Sequence, residues 1–329
     1  MSQATLSTVT PRHAVEGGRL VLRGHGFGVD PSPTVTLGAT PAHVVFASSS
    51  RLVVEVPPDL PGGALPVRVA GADGAPTVIV GVPWATGLHQ VDSPVFDREG
   101  RLLVTYSGSR GQEAPVSIFR VDAAGTREPF ASGITNATSM AVGPDGALYV
   151  SSRFEGEVRR VTEDGAHERV AGDLGVACGL AFDAEGWMYV GDRSGTIFRV
   201  RDGRGTAFAS LPPSVAAFHL AMGPDGDLFV TAPTLGARDT VYRIGRLGDV
   251  HPLAVSLGRP QGLAFAPGGA LCVVEALAGA SGLYRVPLDG GEPDLLLTAG
   301  ALIGVAFGPH GEMAVASNET AYRFDAPEI

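Results

Sequence analysis

The sequence predicts an all-β protein that consists of a small β-sandwich followed by a six-bladed β-propeller. Two observations predict this class: a phrase of two apolar strands around a glycine turn occurs six times, and the first 80 residues lack that phrase. The 329 residues include 46 glycines and 25 prolines, yet 44% are hydrophobic, so the chain is rich in turns and still able to bury a core.

The repeated phrase joins two strands through a tight turn in which glycine takes a left-handed conformation. Its copies read SPVFDREGRLLVT from Ser93, SMAVGPDGALYVS from Ser139, GLAFDAEGWMYVG from Gly179, HLAMGPDGDLFVT from His219, GLAFAPGGALCVV from Gly262 and GVAFGPHGEMAVA from Gly304. The turn glycines are spaced by 40 to 46 residues and are Gly100, Gly146, Gly186, Gly226, Gly269 and Gly311. Such a period is typical of a propeller blade.

The remaining strands of each repeat and the closure of the ring can also be predicted. Most copies continue with a third strand such as Ile197–Val200 and a fourth such as Pro129–Ala131. The last copy ends near Phe324, before a fourth strand of its own. Residues 82–88 resemble the fourth strand at residues 128–134, so we expect them to supply that strand and close the ring.

The N-terminal region shows short β runs between glycine and proline turns, among them Arg19–Arg23 and Leu52–Val56. The stretch Gly17–Gly28 resembles the opening of IPT/TIG domains, and the runs around Val35–Gly38 and Leu52–Pro57 resemble their later strands. The resemblance implies an immunoglobulin-like domain that serves as a spacer or contact module. We therefore expect an IPT/TIG domain at residues 1–80 and the propeller at residues 81–329.

Composition excludes several functions. The net charge is −10 and only 7% of residues are aromatic, so a nucleic-acid groove is not expected. All 24 basic residues are arginine, which excludes a Schiff-base lysine and a Gly-x-x-x-x-Gly-Lys phosphate loop. Two cysteines make no disulfide framework. Because no signal peptide or membrane span is visible, we expect a soluble protein, cytoplasmic or exported after removal of a leader, without a membrane partner.

The repeat register predicts which side chains surround one mouth of the central channel. The start of the first strand and the end of the second share a face, since the two strands are antiparallel. These positions are Asp92, Thr138, Cys178, Phe218, Gln261 and Ile303 in the first strand and Tyr106, Ser152, Asp192, Ala232, Glu275 and Ser317 in the second. His219 stands where two other copies have glycine, so we expect its imidazole in or near the channel.

The three carboxylates of this set, with one imidazole, have the chemistry to bind a divalent cation or to act as acid and base. Structural roles are the alternatives: Asp92 and Asp192 as loop or turn caps, Glu275 in an ion pair with Arg153, and His219 as a core histidine. Cys178 is expected to be a small buried hydrophobe.

The phrase Asp92-Ser93-Pro94-Val95-Phe96-Asp97 resembles the first-blade phrase of NHL-type and regucalcin/gluconolactonase propellers. In that family the acid at this position binds a catalytic divalent metal, which makes Asp92 the candidate metal ligand. The family's other ligand and substrate positions fall on Cys178, Phe218 and Gln261. Phenylalanine cannot coordinate a hard cation, so the resemblance supports the fold and leaves the lactonase site incomplete unless His219 replaces it.

Three functions remain open from the sequence. The first is binding of a small molecule, glycan or peptide at the channel mouth, the second a lactone or ester hydrolase with an altered divalent-metal site, and the third scaffolding. The predicted ligand-binding residues are Asp92, Tyr106, Thr138, Arg153, Cys178, Asp192, Phe218, His219, Gln261 and Glu275. Asp92, His219 and Glu275 are the catalytic candidates if the protein is an enzyme.

Overall fold

The protein is all-β in the computed structural model, which describes residues 3–277, 279–325 and 327. Every regular element within these residues is a β-strand, and 33 strands are formed. The same residues contain no helix that is long and apolar enough to cross a membrane.

The first nine strands form the N-terminal domain. They are β1 (Ala4–Thr10), β2 (His13–Ala14), β3 (Arg19–His25), β4 (Val35–Leu37), β5 (Thr40–Ala47), β6 (Arg51–Glu55), β7 (Gly63–Val69), β8 (Ala72–Asp73) and β9 (Thr77–Val80). Alternate residues of β3 and β6, such as Leu20 and Val54, are fully buried together with Val35 and Val67 of β4 and β7. Because the side chains of a strand alternate between faces, these strands enclose one common core.

The propeller region contains the other strands. They are β10 (Val82–Ala85), β11 (Val95–Phe96), β12 (Leu102–Thr105), β13 (Ile118–Val121), β14 (Arg127–Ala131), β15 (Ala137–Val142), β16 (Leu148–Ser152), β17 (Glu157–Val161), β18 (His167–Ala171), β19 (Ala177–Phe182), β20 (Met188–Asp192), β21 (Thr196–Arg201), β22 (Arg204–Ser210), β23 (His219–Met222), β24 (Leu228–Thr231), β25 (Val241–Ile244), β26 (Val250–Pro252), β27 (Pro260–Phe265), β28 (Leu271–Glu275), β29 (Gly282–Val286), β30 (Asp294–Thr298), β31 (Gly304–Phe307), β32 (Glu312–Ala316) and β33 (Ala321–Asp325).

Five blades are separate four-stranded antiparallel sheets. Four of them are built from consecutive strands, β11–β14, β15–β18, β19–β22 and β23–β26, and the fifth has the order β10-β33-β32-β31. In that fifth sheet Val82 pairs with Arg323 and Ala85 with Ala321, so the segment after the N-terminal domain closes the ring as the sequence predicts. The six turn glycines all have φ between +77° and +91°, the range that favours glycine.

The strands of the fifth repeat correct the prediction of six separate blades to five. Strands β27–β30 pair in the same antiparallel order as the other repeats, but they belong to a 13-stranded sheet. The reason is that β30 pairs in parallel with β2, with His13 opposite Leu297 and Ala14 opposite Thr298. The outer edge of this repeat is therefore covered by a strand of the N-terminal domain, which protects it from pairing with other chains.

Candidate functional site

The inner strands of the repeats surround the channel, and side-chain to backbone hydrogen bonds fix their spacing. Ser151 Oγ donates to the carbonyl of Cys178 at 2.7 Å, and Thr231 Oγ1 donates to the carbonyl of Gln261 at 2.5 Å. Each bond joins the second strand of one repeat to the first strand of the next. These hydrogen bonds hold the inner strands of neighbouring repeats at a fixed distance from each other.

Irregular pairing at the start of the inner strands sets the direction of the channel side chains. The register shifts between Ala137 and Met140, between Ala177 and Leu180, and between Pro260 and Leu263. The fourth repeat lacks such a shift, and His219 pairs directly with Thr231. A bulge re-aims the side chains that it contains, so the fourth repeat presents its first residue differently from the other three.

Asp92 and His219 form a buried pair. Asp92 Oδ1 lies 2.5 Å from His219 Nδ1, and the exposed fractions of the two side chains are 6% and 1%. The same carboxylate oxygen accepts the backbone N–H of Ser93 at 2.6 Å. Asp92 precedes the inner strand of the first repeat and His219 begins that of the fourth, so the contact joins two repeats that are not adjacent in the sequence.

The other ring nitrogen of His219 has no partner among the described residues. Nε2 is buried and makes no hydrogen bond there. An ionised carboxylate only accepts hydrogen bonds, so Nδ1 donates to Asp92, and in a neutral ring Nε2 then carries the free lone pair. A buried nitrogen without a partner is costly, which makes it a candidate contact for a bound molecule.

The other two predicted carboxylates are held by backbone. Glu275 accepts the N–H groups of Gly258, Arg259 and Leu277, the last two at 2.6 and 2.8 Å. It therefore orders the loops on both sides of its strand, and it makes no ion pair with Arg153 in the part of the chain described.

Asp192 has the same kind of role. Its Oδ1 accepts the N–H of Val176 at 2.8 Å and that of Ser194 at 3.3 Å, and its Oδ2 accepts the hydroxyl of Ser194. These contacts agree with the alternative role of Asp192 as a turn cap, which the sequence analysis left open.

Three other channel positions are packed into the walls. Phe218 is fully buried in the cluster that includes Cys178 and Val230. Burial raises the pKa of the Cys178 thiol to about 11. Thr138 is buried, and its hydroxyl donates to the carbonyl of Asn136 at 2.8 Å.

Tyr106 is partly buried and Gln261 is buried. The Tyr106 ring packs edge-on against His89, with 5.9 Å between the ring centroids. Gln261 is 6% exposed, and its carbonyl accepts the bond from Thr231.

Arg153 lies in a pocket beside the channel mouth. The pocket has a volume of about 360 Å³, and its lining includes Arg110, Asn136, Arg153, Phe154, Val176 and Arg193. Arg110 and Arg193 were missed by the sequence reasoning. A signal for Arg193 was present, because it directly follows the second strand of its repeat, as Arg153 does in the preceding repeat.

The described residues contain no group of three or more His, Cys, Asp or Glu side chains placed to hold a metal ion. Of the predicted altered metal set, the structure brings Asp92 and His219 together. The Glu275 carboxylate is occupied by three backbone N–H groups, so it is not free to coordinate.

Two family models match parts of the chain. Residues 4–78 match the IPT/TIG domain, and residues 179–200 match the family described as strictosidine synthase-like, N-terminal. The first match confirms the predicted type of the N-terminal domain. No curated protein shows significant similarity to the chain.

Solved structures share the fold at low sequence identity. An auxiliary nutrient binding protein from Bacteroides ovatus is similar over 98% of both chains, with 14% identity and a TM-score of 0.55. A presumed gluconolactonase shares 16% identity over 74% of this chain and 90% of its own, with a TM-score of 0.59. Virginiamycin B lyase from Staphylococcus aureus shares 15% identity over 73% of this chain and 86% of its own, with a TM-score of 0.51. At these identities the likeness shows a propeller fold.

Proposed function

We propose that the protein binds a small molecule, glycan or peptide at the channel mouth, with Asp92 and His219 at the centre of the site. The observation that carries this proposal is the buried pair between facing repeats, in which His219 Nε2 lacks a partner. The full-length likeness to a nutrient binding protein, N-terminal domain included, is consistent with a binding role.

The remaining predicted contacts fall into two groups under this proposal. Tyr106, Arg153 and Gln261 would contact the ligand: Arg153 lines a pocket, and repeat register predicts the other two at the mouth. Thr138, Cys178, Asp192, Phe218 and Glu275 would shape the site by packing and by holding loops. The domain division at residues 80 and 81 is proposed on the same footing: β9 ends at Val80 and the closing strand β10 begins at Val82.

We also propose that β27–β30 act as a sixth blade although they are continuous with the N-terminal sheet. They have the antiparallel order of the other blades, and the N–H of Gly262 in β27 donates to the carbonyl of Ile303 at 2.9 Å, which joins this repeat to the next. A sixth unit places the first and fourth repeats opposite each other, in agreement with the Asp92–His219 contact.

Hydrolysis of a lactone or ester is the second candidate function. The observation that favours it is the orientation of His219, whose Nδ1 contacts Asp92 while Nε2 has no partner among the described residues. In such a reaction Nε2 would accept a proton from a water molecule as its oxygen bonds to the acyl carbon, and the ester C–O bond would break with return of that proton to the leaving oxygen.

Thermal unfolding with a panel of sugars, sugar acids, lactones and short peptides tests the binding function. We expect at least one compound to raise Tm by several degrees at concentrations well above its Kd. His219→Gln should remove that rise. His251→Gln is the matched control, because His251 also contacts an aspartate but is exposed on β26.

Three results separate the outcomes. A compound that stabilises wild type and His219→Gln equally would contradict the site, and a panel without any stabilising compound would contradict the function. Release of acid from a lactone by wild type, lost in His219→Gln and kept in His251→Gln, would favour the hydrolase.

A further inference from the structure

Two arginines stand at the same repeat position in neighbouring blades, directly after the second strand. Arg153 follows β16 and Arg193 follows β20, and a third arginine, Arg110, comes from the loop between β12 and β13. All three line one pocket of about 360 Å³ beside the channel mouth. Three guanidinium groups thus face one space in a protein whose net charge is −10.

Carboxylates do not neutralise these arginines. Within residues 3–277, 279–325 and 327, none of the three makes an ion pair, and the single hydrogen bond from their side chains joins Arg193 Nε to the Ser214 carbonyl at 3.3 Å. Asp192, which precedes Arg193, uses both oxygens on the turn that contains Ser194. Asp92 is engaged with His219.

The arginines of the third strands provide a contrast. Arg159 pairs with Glu157 at 2.5 Å, Arg160 with Asp145 at 2.7 Å, and Arg243 with Asp227 at 2.5 Å. These three arginines have acidic partners, whereas Arg199 of β21 instead lies over the rings of Trp187 and Phe208. The pocket arginines have neither kind of partner among the described residues.

The arrangement carries an electrostatic cost. Burial lowers the pKa of Arg153, and the charges of Arg193 and Arg110 lower it further. Arg153 is partly buried, whereas Arg110 and Arg193 are exposed. Like charges around one pocket repel one another, and a bound anion would relieve this repulsion.

The pocket is also rigid and partly apolar. Asn136 holds the loop that carries Arg110: its Oδ1 accepts the N–H of Gly111 at 2.7 Å, and its Nδ2 donates to the carbonyls of Ser107 and Ser109 at 2.6 and 2.9 Å. Phe154 and Val176 contribute apolar surface. A preformed site with fixed donors loses little entropy when a ligand binds.

The pocket and the channel centre are close to each other. Val176 lines the pocket, and Cys178, two residues further along the chain, packs in the same cluster as Phe218, the residue before His219. The start of β19 therefore links the pocket to the buried pair.

We infer that Arg110, Arg153 and Arg193 bind the anionic group, a carboxylate or phosphate, of a small molecule whose remaining part extends to Asp92 and His219. Guanidinium groups offer planar, paired N–H donors that match both oxyanions. This inference deepens the proposed function and rests on it: the ligand class becomes an acidic small molecule such as an organic acid or a phosphate ester.

Thermal unfolding with sodium phosphate and with sodium succinate, each balanced to constant ionic strength with sodium chloride, tests the inference. We expect wild type to melt several degrees higher in at least one anion. Arg153→Gln combined with Arg193→Gln should lose this rise. The matched control combines Arg68→Gln and Arg204→Gln, two exposed arginines on β7 and β22.

A rise with phosphate alone would assign phosphate esters, a rise with succinate alone would assign carboxylic acids, and a rise with both would assign a general oxyanion site. An equal rise in the pocket variant, or no rise in wild type, would overturn the inference. If the anion effect fails while a neutral sugar still binds in a His219-dependent manner, the arginine site is wrong and the binding function stands.

Discussion

The protein contains two aspartate–histidine pairs with the same chemistry and very different surroundings. Asp92 and His219 meet at 2.5 Å with side chains 6% and 1% exposed, whereas Asp249 and His251 meet at 2.8 Å with side chains 56% and 66% exposed. The first pair joins the first and fourth repeats, and the second lies within one outer strand and its turn. Water competes for the hydrogen bond of the exposed pair and not for that of the buried pair. We therefore expect the buried pair to contribute more to stability and to ligand binding.

The largest expected difference between the pairs is in stability. Asp92→Ala leaves His219 buried without a partner on either nitrogen, and we expect a loss of about 3 kcal/mol in the free energy of unfolding. Asp249→Ala should leave the urea midpoint unchanged within error. Urea titrations of both variants provide the measurement, and equal midpoints for the two would mean that the buried contact contributes nothing.

A second test concerns the thiol beside the buried pair. Burial raises the pKa of Cys178 to about 11 and that of Cys272 to about 12. At pH 8 the thiolate of Cys178 is then about one part in a thousand, so an aromatic disulfide reagent should modify neither cysteine of the native protein. The rate should increase as pH rises towards 11, and both thiols should react once the chain is unfolded. Rapid modification of native protein at pH 8 would show that the channel wall opens.

The smallest expected effect belongs to the exposed pair. The hydrogen bond from His251 lowers the pKa of Asp249. A depressed carboxylate pKa contributes stability above the unfolded pKa, and this contribution is lost as pH falls through the folded pKa. The NMR titration of the Asp249 carboxyl carbon should have its midpoint below that of an ordinary aspartate. In His251→Gln the midpoint should return towards the ordinary value, and an unchanged midpoint would show that the pair is absent in solution.

Much of the propeller could be predicted because the residues that define each strand and turn lie close together in the sequence. Each repeat carries its own turn glycine and alternating strands, and the similarity of residues 82–88 to residues 128–134 was sufficient to predict the closing strand. The pairing of β2 with β30 was not predictable. Two-residue strands such as His13–Ala14 carry no pattern, and the partner lies more than 280 residues away.

The contacts of the candidate site could not be predicted from the sequence. Repeat register predicts Asp92, Asp192 and Glu275 at one mouth, but it says nothing about which groups a carboxylate meets. Glu275 and Asp192 meet backbone N–H groups from loops of irregular conformation, and Asp92 meets His219 from a repeat 127 residues away. Such partners depend on three-dimensional closure of the ring.

The closing strand β10 also sets the order in which the protein can be completed during synthesis. It leaves the ribosome before any blade, and its partner β33 leaves after all of the others. At typical translation rates of about 5–20 residues per second, β10 stays without its partner strand until the whole propeller has been synthesised. A chain that ends within the last repeat cannot pair Val82 with Arg323, so it keeps an open ring with an unpaired strand edge that can pair with other chains.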